Sequence, residues 1–355
     1  MHLKFNLDFF LIFSLISLIA TFLVTKYSKT FFSGSLIDKD FLKPQAFHQK
    51  PTGRAGGIAI LSLFCLFIFF YFLIFDVFLK DYLTISLLLF SLGFLDDIKI
   101  KINPNIRLVL MLTLLVFCIN IFSIQITSSG LNFLNLWLTN NLFQTCFVLL
   151  CCLFIINGAN LIDGFKGLLG IHFLLINSIF LIINLSNQNQ NISIILFAQI
   201  IIVLSFLLFN FPKAKIFLGD SGSYLLGALI AFNAIKTHEL NLNISPFFYT
   251  SILFYLFYEV FFSFIRKTLK KKSPLKPDNF HLHMLFYQFL KKSKNIFTAN
   301  YMTGLLINIM YFVLIVPSIY FQDNGIFSRY YFFFQIFFYT AVYKYLYNLK
   351  KYENI

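Results

Sequence analysis

Eleven apolar runs, each close to the length of a bilayer-spanning helix, decide what this chain can fold into. They lie near 5–25, 58–79, 82–98, 106–124, 142–158, 168–185, 192–212, 222–237, 246–265, 302–321 and 330–348. A hydrocarbon core of about 30 Å is crossed by ~20 helical residues, and it admits only backbones that satisfy their own hydrogen bonds. Charged residues make up 12% of the chain and AVILMFWYC 59%, where soluble domains run near ~25% charged. The expected fold is an all-α polytopic membrane protein of about eleven transmembrane helices. Residues 1–355 read as a single integral membrane domain with a large basic cytoplasmic loop at 266–300. The first run is long for a signal-peptide core and no small-x-small cleavage site follows it, so it reads as a helix. Cys65, Cys118, Cys146, Cys151 and Cys152 sit in or beside apolar runs without metal-ligand spacing. They read as small hydrophobes.

The sign of the loops orients the bundle. With the N-terminus outside, 24 of the 28 Lys and Arg fall on the cytoplasmic side, and only Lys4, Lys80, Lys236 and Arg329 fall on the other. Cytoplasmic loops concentrate Lys and Arg, so the N-terminus is expected outside and the C-terminus inside. The net charge of +14 therefore marks a membrane face, and no nucleic-acid partner is expected.

Five polar stretches interrupt the apolar pattern, all on that cytoplasmic face. Asn157 to Leu168 reads Asn-Gly-Ala-Asn-Leu-Ile-Asp-Gly-Phe-Lys-Gly-Leu, with Asn157, Asn160 and Asp163 at every third position. On a helix those three form a slowly drifting stripe. His48 to Gly57 carries Lys50 and Arg54, and Gly93 to Asp97 reads Gly-Phe-Leu-Asp-Asp. Phe217 to Ser223 reads Phe-Leu-Gly-Asp-Ser-Gly-Ser, and Arg266 to His283 is Lys-rich and ends Pro-Asp-Asn-Phe-His-Leu-His. The chain has only 14 acids, and placing polar groups in a bilayer is costly enough that they usually serve a function. Asp96 and Asp97 point about 100° apart on a helix, which suggests two roles. Asp220 with Ser221 resembles a helix start, where N–H groups favour an anion. Scattered single acids among Lys and Arg suit Mg²⁺, which keeps waters and takes substrate oxygens.

These five stretches, in this order from about Pro44 to His283, resemble the polyprenyl-phosphate N-acetylhexosamine-1-phosphate transferases. The ending Pro277-Asp278-x-x-His281-x-His283 is similar to the bacterial N-acetylglucosamine-type branch, whereas peptidoglycan translocases carry consecutive histidines. The resemblance implies transfer of a sugar 1-phosphate from a UDP-N-acetylhexosamine to undecaprenyl phosphate, releasing UMP at the cytoplasmic face of the bacterial inner membrane. It implies catalytic positions at Asp96 and Asp97, the acidic pair near the lipid phosphate, and at Arg107, a cation near the phosphates. Asn160 and Asp220 match positions for Mg²⁺, with Mn²⁺ as its substitute. Lys50, Arg54, Asn157, Asp163, Lys166, Arg266, His281 and His283 match substrate-binding positions. Membrane lipids are the expected surroundings, and a homodimer is compatible with the family. The chain departs from the family's common pattern at Gly53, Lys166 and Glu259.

A transporter or flippase of an anionic lipid-linked sugar is the alternative. It calls for polar residues at mid-span and for two related halves, whereas here the acids gather at one face and no half-to-half symmetry is visible. The cation distribution makes a direct prediction. A reporter fused after Lys272 should read as cytoplasmic and one near Leu134 as external, and the opposite pair of signals would invert the topology.

Overall fold

The apolar runs become helices, and asparagines between them mark the starts of three, Pro104–Ile121, Asn141–Ile162 and Ile296–Tyr320. In the computed structural model, which describes residues 7–38, 51–100, 102–274, 276 and 278–351, there are fourteen α-helices and one short ribbon. They are α1 (Leu7–Tyr27), β1 (Ile37–Asp38), β2 (Thr52–Gly53), α2 (Gly56–Phe75), α3 (Lys80–Asp97), α4 (Pro104–Ile121) and α5 (Asn132–Leu138). Then follow α6 (Asn141–Ile162), α7 (Leu168–Ser186), α8 (Gln190–Asn210), α9 (Gly219–Leu240) and α10 (Pro246–Ile252). The chain continues through α11 (Phe254–Leu269), α12 (Leu282–Lys291), α13 (Ile296–Tyr320) and α14 (Gly325–Lys351). The Asn103 side chain accepts the Asn105 N–H at 3.0 Å, with Pro104 in the first turn of α4. Asn140 accepts the N–H groups of Leu142 and Phe143 at 3.0 and 3.1 Å to start α6. Each supplies an acceptor to donors that have no partner within the helix.

Seven of these helices, α1, α2, α4, α6, α7, α8 and α13, are long and apolar enough to cross a bilayer. The α10–α11 pair, bent by 73° at Leu253, makes an eighth if it is one broken span. The remaining expected runs, at 82–98, 222–237 and 330–348, are helices α3, α9 and α14 of 18, 22 and 27 residues. They are more polar than the others. The basic stretch 266–300 is not all loop, because it contains the amphipathic α12.

α9 is the centre of the bundle. It is buried along nearly its whole length and packs against α2, α3, α6 and α7. Its inward polar residues recur every fourth position and knit the neighbouring helices together. Tyr82 donates its hydroxyl to Asn233 Oδ1 at 2.9 Å, and Asn233 Nδ2 donates to Gln199 Oε1 at 2.7 Å and Asn177 Oδ1 at 3.2 Å. One turn on, Asn184 Nδ2 donates to the Thr237 hydroxyl at 3.0 Å, and Asn241 Nδ2 donates to Asn184 Oδ1 at 3.1 Å. Bonds between buried side chains tie α3, α7, α8 and α9 at defined heights, which apolar packing alone would not fix.

Candidate active site

Between the starts of α4 and α9, the end of α6 and the second half of α11, the chain leaves a cavity of about 950 Å³. Its geometry depends on Asp97. This carboxylate is 2% exposed and caps the start of α9 from the neighbouring helix. Oδ1 accepts the Asp220 N–H at 3.0 Å, and Oδ2 accepts the Ser221 N–H at 2.9 Å and the Ser221 hydroxyl at 2.6 Å. Two glycines let the helices come this close. Gly219 turns the chain at φ +81°, and a Cβ on Gly93 would overlap the Asp220 carbonyl oxygen. The Gly-Phe-Leu-Asp-Asp and Phe-Leu-Gly-Asp-Ser-Gly-Ser stretches are thus two sides of one joint.

Asp96 turns the other way and pairs with Arg107. The Arg107 guanidinium also lies 3.8 Å from Asp220 Oδ2, so the base of α4 is drawn toward the start of α9. Asn160, near the end of α6, donates to Asp220 Oδ1 at 3.3 Å and to the Ser223 hydroxyl at 2.9 Å. Asn157, one turn earlier, donates to the Leu153 carbonyl at 2.8 Å. Asp163 follows the last turn of α6 on the cavity wall. Burial, with Asp220 and Asp97 nearby, raises its carboxyl well above the ordinary value, and Arg54 opposes this.

Arg54 reaches the cavity across the ribbon, donating to Asp38 Oδ2 from Nε at 3.1 Å and from Nη2 at 2.7 Å. Burial alone would favour its neutral form, but Asp38, Asp220 and Asp97 together raise its pKa. Asp38 was not among the expected site residues. Its only sequence signal is that acids are scarce in this chain. Lys166 also lines the cavity, yet its Nζ sits 4.0 Å from the centre of the Phe297 ring rather than on a carboxylate of its own stretch. Its backbone N–H donates to Asn300 Oδ1 at 3.0 Å, and burial lowers its pKa. Lys50 lies outside the described residues.

The histidine stretch forms a second layer. Glu259 Oε1 accepts from His281 Nδ1 at 3.0 Å and from the Leu282 N–H at 3.1 Å. His281 Nε2 stands 3.4 Å from Asp278 Oδ1, and Asp278 takes two bonds from Arg266 at 2.7 and 3.1 Å. Burial would raise the Asp278 carboxyl, but the Arg266 bond and the neighbouring His281, Arg266 and Lys267 side chains hold it below the usual range. His281 lines the cavity, whereas Arg266 and His283 are not on its wall. His283 Nδ1 meets the Tyr255 hydroxyl at 3.4 Å, and burial pushes its imidazole down to about 3, leaving the ring neutral. Of the expected residues, then, the structure brings Arg54, Arg107, Asn157, Asn160, Asp163, Lys166, Asp220 and His281 to one cavity. Asp96 and Asp97 stand directly behind it.

The hard-oxygen donor near the start of α9 is the part-exposed Asp220 carboxylate, and Asn160 beside it turns its amide NH₂ toward Asp220 and Ser223, which leaves Oδ1 as the oxygen it could offer an ion. Among the described residues no group of three or more His, Cys, Asp or Glu could close around a metal. A sparse oxygen set suits an ion that shares its shell with water and phosphate, such as Mg²⁺, and not a structural zinc. The two aspartates of α3 should separate by experiment. In Asp97→Asn, whichever way the amide is turned, its NH₂ meets an N–H donor, so the start of α9 should loosen at a cost of roughly 3 kcal/mol. Asp96→Asn weakens a part-exposed pair and should stay within about 1 kcal/mol of the parent. Thermal unfolding in detergent micelles checks both, and equal stability of the two variants would contradict the cap.

Residues 79–238, which carry α3 to α9 and this joint, match glycosyl transferase family 4. The undecaprenyl-phosphate alpha-N-acetylglucosaminyl 1-phosphate transferase of Thermotoga maritima is 30% identical over 260 residues, covering 72% of this chain and 78% of that protein. The phospho-N-acetylmuramoyl-pentapeptide-transferase of Listeria welshimeri is 31% identical over 206 residues, 54% of this chain and 64% of that one. The enzyme of that name from Dictyoglomus turgidum is 30% identical over 230 residues, 61% and 71% of the two chains. Together with the apolar helices, these relatives make it a multi-pass protein of the bacterial inner membrane. The chain belongs to glycosyl transferase family 4, the polyprenyl-phosphate N-acetylhexosamine-1-phosphate transferases that its motifs resemble.

Proposed function

We propose that the cavity passes an N-acetylhexosamine 1-phosphate from a UDP-sugar to undecaprenyl phosphate. The products are a lipid-linked diphosphate sugar and UMP, and the step opens the assembly of a cell-surface glycan. One observation carries this reading. A single cavity joins Arg54, Arg107, Lys166, Asp163 and Asp220 to an apolar flank of Leu108, Met111, Leu153, Phe154 and Phe264. The first group suits a nucleotide diphosphate and the second a prenyl chain.

In this reading a lipid phosphate oxygen attacks the phosphorus that bears the sugar. The new P–O bond forms as the bond from that phosphorus to the bridging oxygen breaks, and UMP leaves with the electron pair. The nucleophile is already anionic, so most of the work is alignment and neutralisation of charge. Arg107, steadied by Asp96, and Arg54, steadied by Asp38, present fixed cations to the phosphates. Asp220 and Asn160 would hold Mg²⁺, which when bound offsets charge building on the diphosphate and the leaving oxygen. UDP-N-acetylglucosamine is the first donor to try, given the Thermotoga relative. Eleven spans with the N-terminus outside would turn the cavity toward the cytosol, where nucleotide sugars are made. The mid-span polar residues that a transporter needs bond to one another here and are absent from the cavity wall.

Purified protein, undecaprenyl phosphate, Mg²⁺ and a panel of labelled UDP-N-acetylhexosamines should yield labelled lipid and UMP. Asp220→Ala and Asn160→Ala should each lower kcat by roughly 100-fold or more while the protein stays folded. No transfer from any UDP-sugar, or full turnover in both variants at saturating Mg²⁺, would contradict the assignment.

A further inference from the structure

The last helix lies beyond the matched family region, yet it reaches the cavity through a chain of buried hydrogen bonds. Tyr339, 3% exposed on α14, donates its hydroxyl to Glu259 Oε2 at 2.6 Å. The other oxygen of that carboxylate holds His281 Nδ1 and the Leu282 N–H, and Glu259 and His281 are 1% and 2% exposed. A carboxylate only accepts, so His281 must present Nδ1–H to it. One side-chain oxygen on α14 thus helps the Leu282 N–H to set the rotation of the Glu259 carboxylate, which holds Nδ1 and the ring plane of a cavity-lining histidine whose Nε2 stands 3.4 Å from Asp278 Oδ1. The same helix also braces the histidine stretch from outside. Lys350 Nζ stands 4.2 Å from the centre of the Phe280 ring, next to His281 in sequence.

We infer that Tyr339 is a positioning residue for sugar-phosphate transfer, acting through Glu259 on His281. The inference rests on the reading that this cavity is the transfer site, but its first test does not. Outer-shell partners commonly set the orientation and tautomer of a working histidine. The Tyr339 ring has packing of its own, with Tyr258 at 4.9 Å and Phe262 at 5.4 Å between ring centres. Tyr339→Phe therefore removes the hydroxyl while keeping the ring contacts that a purely structural role would use.

The experiment uses the full-length protein in detergent micelles with ¹⁵N-labelled histidine. The His281 ring signals are assigned by their loss in His281→Ala. Tyr339→Phe should shift the His281 Nδ1 resonance, with Glu259→Gln shifting it further, and should lower the thermal midpoint modestly, because it takes one donor from a buried carboxylate, without unfolding the protein. An unmoved His281 signal in Tyr339→Phe overturns the inference, whatever the enzyme turns over. In the transfer assay Tyr339→Phe should lower kcat/KM by about 5- to 20-fold but cause no further loss when added to His281→Ala. Equal losses in both backgrounds would mean that the hydroxyl acts elsewhere, and they also overturn it. A protein that transfers no sugar yet shows the shifted resonance refutes the transfer reading alone.

Discussion

A carboxylate buried between two helices sets the site. Asp97 ends α3 and spends both oxygens on the first N–H groups of α9 and on the Ser221 hydroxyl. The unpaired donors at a helix start carry partial positive charge, so an anion held against them is stabilised on both sides. This joint aims the next residue, Asp220, into the cavity, where Asn160 and Arg107 approach from α6 and α4. The polar ladder of Asn233, Thr237 and Asn241 holds the far part of α9. The central helix is therefore pinned along its length, which suits a scaffold that must present charge without moving it. Preorganised charge is worth more in transfer chemistry than charge that must reorient.

Much of this was legible in the sequence because of contrast. In a chain with 12% charged residues, Asp96, Asp97, Asp163 and Asp220 stand out, and the structure brings their stretches to one end of the bundle. The spacing of the α3 pair showed only that the two carboxylates diverge. It could not show which one finds the N–H groups of α9, because that depends on a partner 123 residues away. Asp38 was invisible for a similar reason, since its bond to Arg54 exists only once β1 and β2 pair. The bend at Leu253 and the separate α12 are hard to read because aromatic residues fill spans and amphipathic helices alike in this composition. Asn177, Asn184 and Asn233 were hidden by the abundance of asparagine. Lys166, expected among the substrate-binding positions, does line the cavity, and the sequence could not show that its ammonium rests on the face of Phe297, supplied by a distant helix.

The site divides into two layers with different electrostatics. The cavity wall is a mixed field in which Arg54 and Arg107 each answer a carboxylate and still face open space. Behind it, Glu259, Asp278, Arg266, His281 and Tyr339 satisfy one another almost completely in a buried network. Such a network costs desolvation energy that a hydrophobic cluster would avoid. What it supplies is orientation, and here the oriented element is the histidine that reaches the cavity.

The central claim is that the start of α9 holds a divalent ion together with a nucleotide diphosphate. Binding of Mn²⁺ to the purified protein, followed by electron paramagnetic resonance with and without UDP, tests it most directly. The account predicts a bound-Mn²⁺ signal that strengthens with UDP, shows coupling to phosphorus, and is lost in Asp220→Ala but kept in Tyr339→Phe. An unchanged UDP-dependent signal in Asp220→Ala would contradict it.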